Sequence, residues 1–274
     1  NHLHTKKGYV YFTASPENAT QKYLYRTKLN GKGKAELLNP EDLKGTHNYS
    51  VSPTGAYAMH SFSNSYTRPA AEYVTFPKLK PINDSESILG RINELQETPK
   101  VEFFKVTTVD NVEMDGWMVK PTNFDPSKKY PLVFYVYSEP ARATVTDTYG
   151  VGRNYNYNGN IADDGYIYIS LDNRGTPVPK GRQWRKSIYS KLGQNNIKDQ
   201  ALAAKEILKW NFVDPERIAV WGWSGGGSTT LNLMFQYPQR KIHLTIYWLK
   251  YYSKFQGLKY LDSEKVSLIA RILI

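Results

Sequence analysis

Apolar and polar residues alternate over short runs in the first 80 positions and give way to longer apolar blocks further on. Residues 9–13 and 23–28 alternate and are rich in aromatic and β-branched side chains, which predicts strands. Asn30-Gly31 after the second is a hairpin-turn signal, and Val51-Ser52-Pro53-Thr54-Gly55 predicts another turn. Strands are predicted again over residues 56–62 and 71–76. Short strands separated by turn residues suit meandering four-stranded propeller blades, with room for about two and too few to close a ring. Residues 81–98 change character: Asp84, Ser85 and Glu86 precede a helical pattern at Ile88, Leu89, Ile92 and Leu95. This predicts a linker, a helix and a boundary that divides the chain into residues 1–85 and 86–274.

Residues 101–109 and 112–120 alternate around Asp110-Asn111, the pattern of a hairpin. Residues 132–137 and 166–171 are continuous apolar runs, and Ile197, Ala201, Ala204 and Leu208 share one helical face with Asn196 available as its cap. Continuous strands alternating with helices predict an α/β domain with a mostly parallel sheet covered on both faces.

Chemistry concentrates in residues 218–230. The apolar run Ile218 to Trp221 reads as a buried strand, Gly222-Trp223-Ser224-Gly225-Gly226 as a sharp turn, and Leu231, Met234 and Phe235 as the face of a helix. This is a G-x-S-x-G nucleophile elbow in its required context of strand, turn and helix. Such a turn holds the serine in a strained conformation, exposes its hydroxyl and aims the free N–H groups of the new helix at the reaction centre. A phosphate-cradling loop would need a Lys-Ser/Thr pair, and here Ser228 and Thr229 follow Gly227 without a lysine. A plain glycine turn is the bland alternative.

Composition narrows the partners. With 40% hydrophobic residues the chain has material for a real core, and 22 Tyr and 6 Trp suit β-rich folds and sugar- or peptide-binding clefts. The absence of cysteine excludes disulfides and zinc-thiolate sites. No apolar stretch has the length of a membrane span, and no charged-then-apolar leader opens the chain at Asn1. The net charge of +11 raises the question of nucleic acid, but residues 239–274 hold seven Lys/Arg against two acidic residues, and elsewhere lysines stand singly in turns such as Gly31-Lys32-Gly33-Lys34. That distribution reads as a solvated surface, with no nucleic-acid partner.

The run Leu171-Asp172-Asn173-Arg174-Gly175-Thr176, then Lys191-Leu192-Gly193, Asp199-Gln200 and Phe212-Val213-Asp214, leading into Trp221-Gly222-Trp223-Ser224, closely resembles the prolyl oligopeptidase family of serine peptidases, in its dipeptidyl peptidase IV branch and bacterial relatives. Ser15-Pro16-Glu17-Asn18-Ala19-Thr20 resembles that branch's last propeller blades. Over residues 1–238 the resemblance implies the end of a β-propeller followed by an α/β-hydrolase domain. It implies removal of N-terminal dipeptides after proline or alanine, with no cofactor or metal, peptide substrates, a homodimer, and a periplasmic or secreted setting. By the same resemblance Ser224 is the nucleophile, the Gly225 N–H one oxyanion-hole donor and the Tyr137 hydroxyl the other. From its position alone, Tyr137 reads equally as a strand-end tyrosine packed in the core. The animal enzymes carry a proline-pocket tyrosine where this chain has Gly225.

The triad order of such a domain is Ser, Asp/Glu, His. The candidates after Ser224 are His243, Asp262 and Glu264, in reversed order and at spacings that match no family position, so the triad acid and histidine are expected to be absent. His243 instead predicts the start of the next strand, and His2, His4, His47 and His60 match no catalytic position. Beyond Gln239 the resemblance stops, and residues 239–274 read as an atypical or out-of-frame tail that leaves the elbow strand's edge unpaired. Two rivals stand beside the exopeptidase reading: a related oligopeptidase or acylaminoacyl peptidase, and a catalytically silent binding protein.

Overall fold

The computed structural model describes residues 2–4, 8–98, 100–154, 157–237 and 242–246. It divides into two units, Asn1–Val101 with Thr146–Val151, and Glu102–Val145 with Gly152–Ile274. The first holds two antiparallel sheets. Strands β1 (His2–His4), β2 (Tyr9–Ala14), β3 (Tyr23–Lys28) and β4 (Glu36–Leu37) form one in sequence order. Strands β5 (Thr46–Val51), β6 (Tyr57–Asn64) and β7 (Thr67–Thr75) form the other. Tyr11, Leu24, Ala58, Val74 and Phe76 make a shared core for the two sheets.

Strand β5 escapes the sequence pattern because its inward positions are His47, Tyr49 and Val51, and an imidazole does not read as apolar. The helix expected after Asp84 is a 3-10 turn (Asp84–Glu86) and a separate single-turn helix α1 (Ile92–Leu95). Ile88 between them is fully buried against Leu43 and Phe62. Residues 86–101, expected to open the second domain, therefore pack within the first unit, and the division falls after Val101.

Two of the unexplained histidines form a buried relay. The Leu43 carbonyl can only accept, so His47 Nε2 donates to it at 2.8 Å, and His47 Nδ1 accepts from His60 Nε2 at 2.9 Å. His60 Nδ1 then faces Glu72 Oε1 at 2.7 Å, and the other oxygen, Oε2, accepts the Ile88 N–H at 3.0 Å. Burial pushes the His47 pKa from 6.5 down to about 4. Between those values the unfolded chain binds a proton that the folded chain refuses, so stability is full above pH 6.5 and falls as pH drops toward 4. At 1.36 kcal/mol per pKa unit, this removes roughly 3 kcal/mol. Urea titrations at pH 7 and pH 4.5 are expected to show most of that loss, and His47→Gln to abolish most of the difference. An equal pH slope in the variant would refute the assignment.

The second unit is built on one six-stranded sheet of β8 (Glu102–Thr107), β9 (Glu113–Val119), β10 (Tyr130–Tyr135), β11 (Ile167–Asp172), β12 (Val213–Gly222) and β13 (Ile242–Ile246). The spatial order is β13-β12-β10-β11-β9-β8. The first four are mutually parallel, while β9 runs antiparallel to β11 and to β8. Strand β11 is buried at every position, as its continuous apolar run requires. The short helix α2 (Gly181–Lys186) follows β11 in the chain. On one face Leu132, Phe134, Val136, Ile169 and Val220 pack with Ala203 and Ile207 of helix α3 (Asn195–Ile207) and with Leu231 and Met234 of helix α4 (Gly225–Gln236). The opposite face is aromatic, with Tyr135 against Trp221 at 4.7 Å and Trp117 against Tyr168 at 5.1 Å.

Two expectations are corrected here. Asn196 does not cap α3: it sits inside the first turn, where its Oδ1 accepts the Gly193 N–H at 2.8 Å. The edge of the elbow strand is also not left bare, because β13 pairs with β12 from Ile218↔Ile242 to Gly222↔Ile246. The tail thus supplies a parallel strand, and Ile242, His243, Leu244 and Ile246 have the β-branched and apolar content that one needs. Residues 247–274, including Asp262 and Glu264, lie outside the described residues.

Candidate active site

Strand β12 ends at Gly222 and α4 starts at Gly225, so the chain reverses over Trp223 and Ser224. Ser224 takes φ 54° and ψ −116°, a region costing an L-residue roughly 1–3 kcal/mol. Two hydrogen bonds lock the turn, from the Gly226 N–H to the Trp223 carbonyl at 2.8 Å and from the Ser228 N–H to the Ser224 carbonyl at 3.2 Å. A Cβ on Gly222 would lie 2.5 Å from the Val136 carbonyl oxygen, and one on Gly226 would come closer still to that same oxygen. Glycine is therefore demanded at both positions by the approach of two backbones. Ser224 is exposed, while Gly225, Gly226 and Gly227 are buried. Among the described residues no acceptor takes the Gly225 N–H, which opens α4 at the positive end of its dipole.

The facing wall is the segment that leaves β10. Val136 still bonds to the elbow strand, its N–H donating to the Trp221 carbonyl at 3.0 Å. Tyr137 follows, half-buried, with its carbonyl accepting from the Thr229 hydroxyl of α4 at 3.4 Å. Ser138 then turns the chain at φ 66°, and its carbonyl is clamped by the amides of Asn173 and Asn196 at 3.4 and 3.3 Å. Ser224, Gly225 and Tyr137 thus stand together at the C-terminal edge of adjacent parallel strands. Glu139 comes next, and its carboxyl group fills the space beside Gly225.

Behind this wall the end of β11 is fixed by charge. Arg174 grips the buried Asp199 of α3 through Nε at 2.9 Å and Nη2 at 2.7 Å, and its N–H adds a third bond at 3.1 Å. Gln200 Nε2 donates to the Leu171 carbonyl and to Asn173 Oδ1, at 2.9 and 3.0 Å. Asp172 is buried and accepts from the N–H groups of Thr144 and Val145. Burial pushes its pKa up to about 6, with those N–H groups opposing the rise.

The polar residues of the resembling run therefore act as supports for the 137–139 segment and the strand ends. Sequence reasoning recognised Asn173, Asp199 and Gln200 only as a pattern and missed Asn196 and Thr229 in this role. Their partners lie tens of residues away, so periodicity carries no sign of them. His243 lies on β13, its side chain outside the description, and His47 and His60 belong to the relay of the first unit. Among the described residues no group of three or more His, Cys, Asp or Glu could hold a metal ion, and no helix is long and apolar enough to cross a membrane.

A serine in a strained strand-to-helix turn, at the end of a largely parallel sheet, defines an α/β protein of the nucleophile-elbow class. Residues 154–240 match the prolyl oligopeptidase family, and residues 2–69 match the dipeptidyl peptidase IV N-terminal region. The chain is similar to dipeptidyl peptidase 4 of Trichophyton equinum, 30% identical over 233 residues that make up 84% of this chain and 30% of that protein. It is similar also to the "Probable dipeptidyl peptidase 4" of Arthroderma benhamiae, 31% identical over 84% of this chain and 30% of the relative. The crystal structure of Porphyromonas gingivalis dipeptidyl peptidase 4 superposes with a TM-score of 0.68 at 30% identity, covering 83% of this chain and 31% of that one. The chain thus spans a little under a third of the length of these relatives. It belongs to the prolyl oligopeptidase family, in the dipeptidyl peptidase IV-like branch, with a propeller-type β unit preceding a hydrolase domain.

Proposed function

We propose that the protein is a serine exopeptidase that releases N-terminal dipeptides from peptides, with proline or alanine before the scissile bond as the family resemblance implies. The observation that carries this reading is Ser224 itself, held at φ 54° on an exposed turn beside a Gly225 N–H that no described residue engages. The Ser224 hydroxyl attacks the carbonyl of the penultimate residue, and the carbonyl π electrons move onto oxygen. The Gly225 N–H and the Tyr137 hydroxyl donate to that oxyanion, the amine leaves with a proton, and water releases the dipeptide from the acyl-enzyme. By the family's spacing, no Asp, Glu or His after Ser224 falls at a triad position of this sequence. We accordingly propose that the 274-residue polypeptide assayed alone lacks turnover, that the last propeller blades extend to Val101, and that the protein acts on peptides as a homodimer.

Tyr137→Phe in the protein expressed over its full natural length tests the assignment. Turnover of Gly-Pro and Gly-Ala amides is expected to fall by about 10²–10³, the usual loss on removing one oxyanion donor. KM should hardly move, because the hydroxyl meets charge that develops only in the transition state. Unchanged turnover would return Tyr137 to the core. No turnover of any dipeptide amide by the unmutated protein would favour the silent binding protein.

A further inference from the structure

Glu139 places a carboxylate beside the nucleophile. A Cβ built on Gly225 would lie 2.5 Å from its Oε1 and closer still to Oε2 and Cδ. Gly225 directly follows Ser224 and carries the proposed oxyanion donor, so the carboxylate lines the wall against which an attacked carbonyl would be held. Glu139 is half-buried, and among the described residues none gives it a hydrogen bond or an ion pair. Burial pushes its pKa up, as expected of an anion removed from water without compensation.

The other buried carboxylates of this unit are partnered. Asp199 is held by Arg174, Asp172 by two backbone N–H groups, and Asp115 by Lys180 Nζ at 2.7 Å. An unpaired, half-buried carboxylate is costly, and next to a developing oxyanion it would also oppose the reaction. A cation arriving with the substrate removes both penalties.

We propose that Glu139 is a specificity-determining residue that selects a basic side chain, lysine or arginine, on the residue whose carbonyl Ser224 attacks. The inference rests on the peptidase reading of Ser224 and widens its substrate class beyond proline and alanine. Gly225 is the necessary counterpart, since any side chain there would evict the carboxylate.

The test compares Gly-Lys and Gly-Ala diphenyl phosphonates, which label an active serine, on the protein at full natural length, with modification of Ser224 read by mass spectrometry. The Gly-Lys probe is expected to label at least about tenfold faster, the equivalent of one well-placed charge pair. In Glu139→Gln, similar in size and uncharged, the ratio should collapse toward one, with thermal melting confirming the fold. Glu139→Ala should give the same collapse. Equal rates in the unmutated protein, or a ratio that survives both substitutions, would overturn the pocket inference and leave the peptidase reading standing. If neither probe nor a general fluorophosphonate labels Ser224, the peptidase reading fails and the pocket with it.

Discussion

Ser224→Ala in the full-length protein is expected to lower dipeptide release by about 10⁵–10⁶-fold, the largest single effect the site can show. On the proposed reading the substitution removes the nucleophile and with it the acyl-enzyme route, and the proposed oxyanion donors alone would sustain only about 10³–10⁴ over water. The φ of 54° adds a second readout. Ser224→Gly abolishes the same chemistry but relieves the backbone, because glycine occupies positive φ without the Cβ penalty. Its melting midpoint should therefore rise, by the equivalent of about 1 kcal/mol, while activity disappears. A glycine variant no more stable than the unmutated protein would show that the turn is unstrained. An alanine variant that retains turnover would show that Ser224 is not the nucleophile.

The elbow was legible in the sequence because each of its requirements is local. A buried strand, two glycines at fixed distance and a helical face all fall within residues 218–235. The hairpin of β8 and β9 and the fully buried β11 were legible for the same reason, since alternation and continuous apolar runs are short-range signals. What escaped depends on residues distant in the chain. Asn196 has the composition of a cap, but Ser138, 58 positions earlier, draws its amide inward. Strand β5 hides its inward face behind His47, whose partner His60 comes from β6 and is itself held by Glu72 of β7. Residues 86–101 have the composition of a linker, and only the burial of Ile88 against Leu43 and Phe62 shows that they close the first unit. The start of β13 was legible at His243, but its pairing along β12 was not, because that depends on residues more than twenty positions away.

Gly226→Ala is expected to damage fold and site together. The added Cβ would overlap the Val136 carbonyl oxygen and lie 3.2 Å from its carbon and 3.3 Å from Tyr137 Cα. None of these atoms belongs to a side chain that could rotate away. Val136 is tied to β12 through its N–H on the Trp221 carbonyl, and Tyr137 is tied to α4 through Thr229. Relief therefore requires the end of β10 and the first turn of α4 to separate by about 1 Å, at a cost of roughly 3 kcal/mol or more. The same displacement carries Tyr137 away from the oxyanion position proposed for its hydroxyl, and a misplacement of about 1 Å costs on the order of 10²-fold in rate. Urea unfolding should show the loss of stability, and turnover of Gly-Ala amide at low temperature, where the variant remains folded, should show the loss of rate. Gly90→Ala is the control, because nothing lies within 3.7 Å of the Cβ it would gain. It should change stability by less than about 1 kcal/mol. Equal effects of the two substitutions would mean that the strand and helix do not meet as closely at the elbow as the distances require.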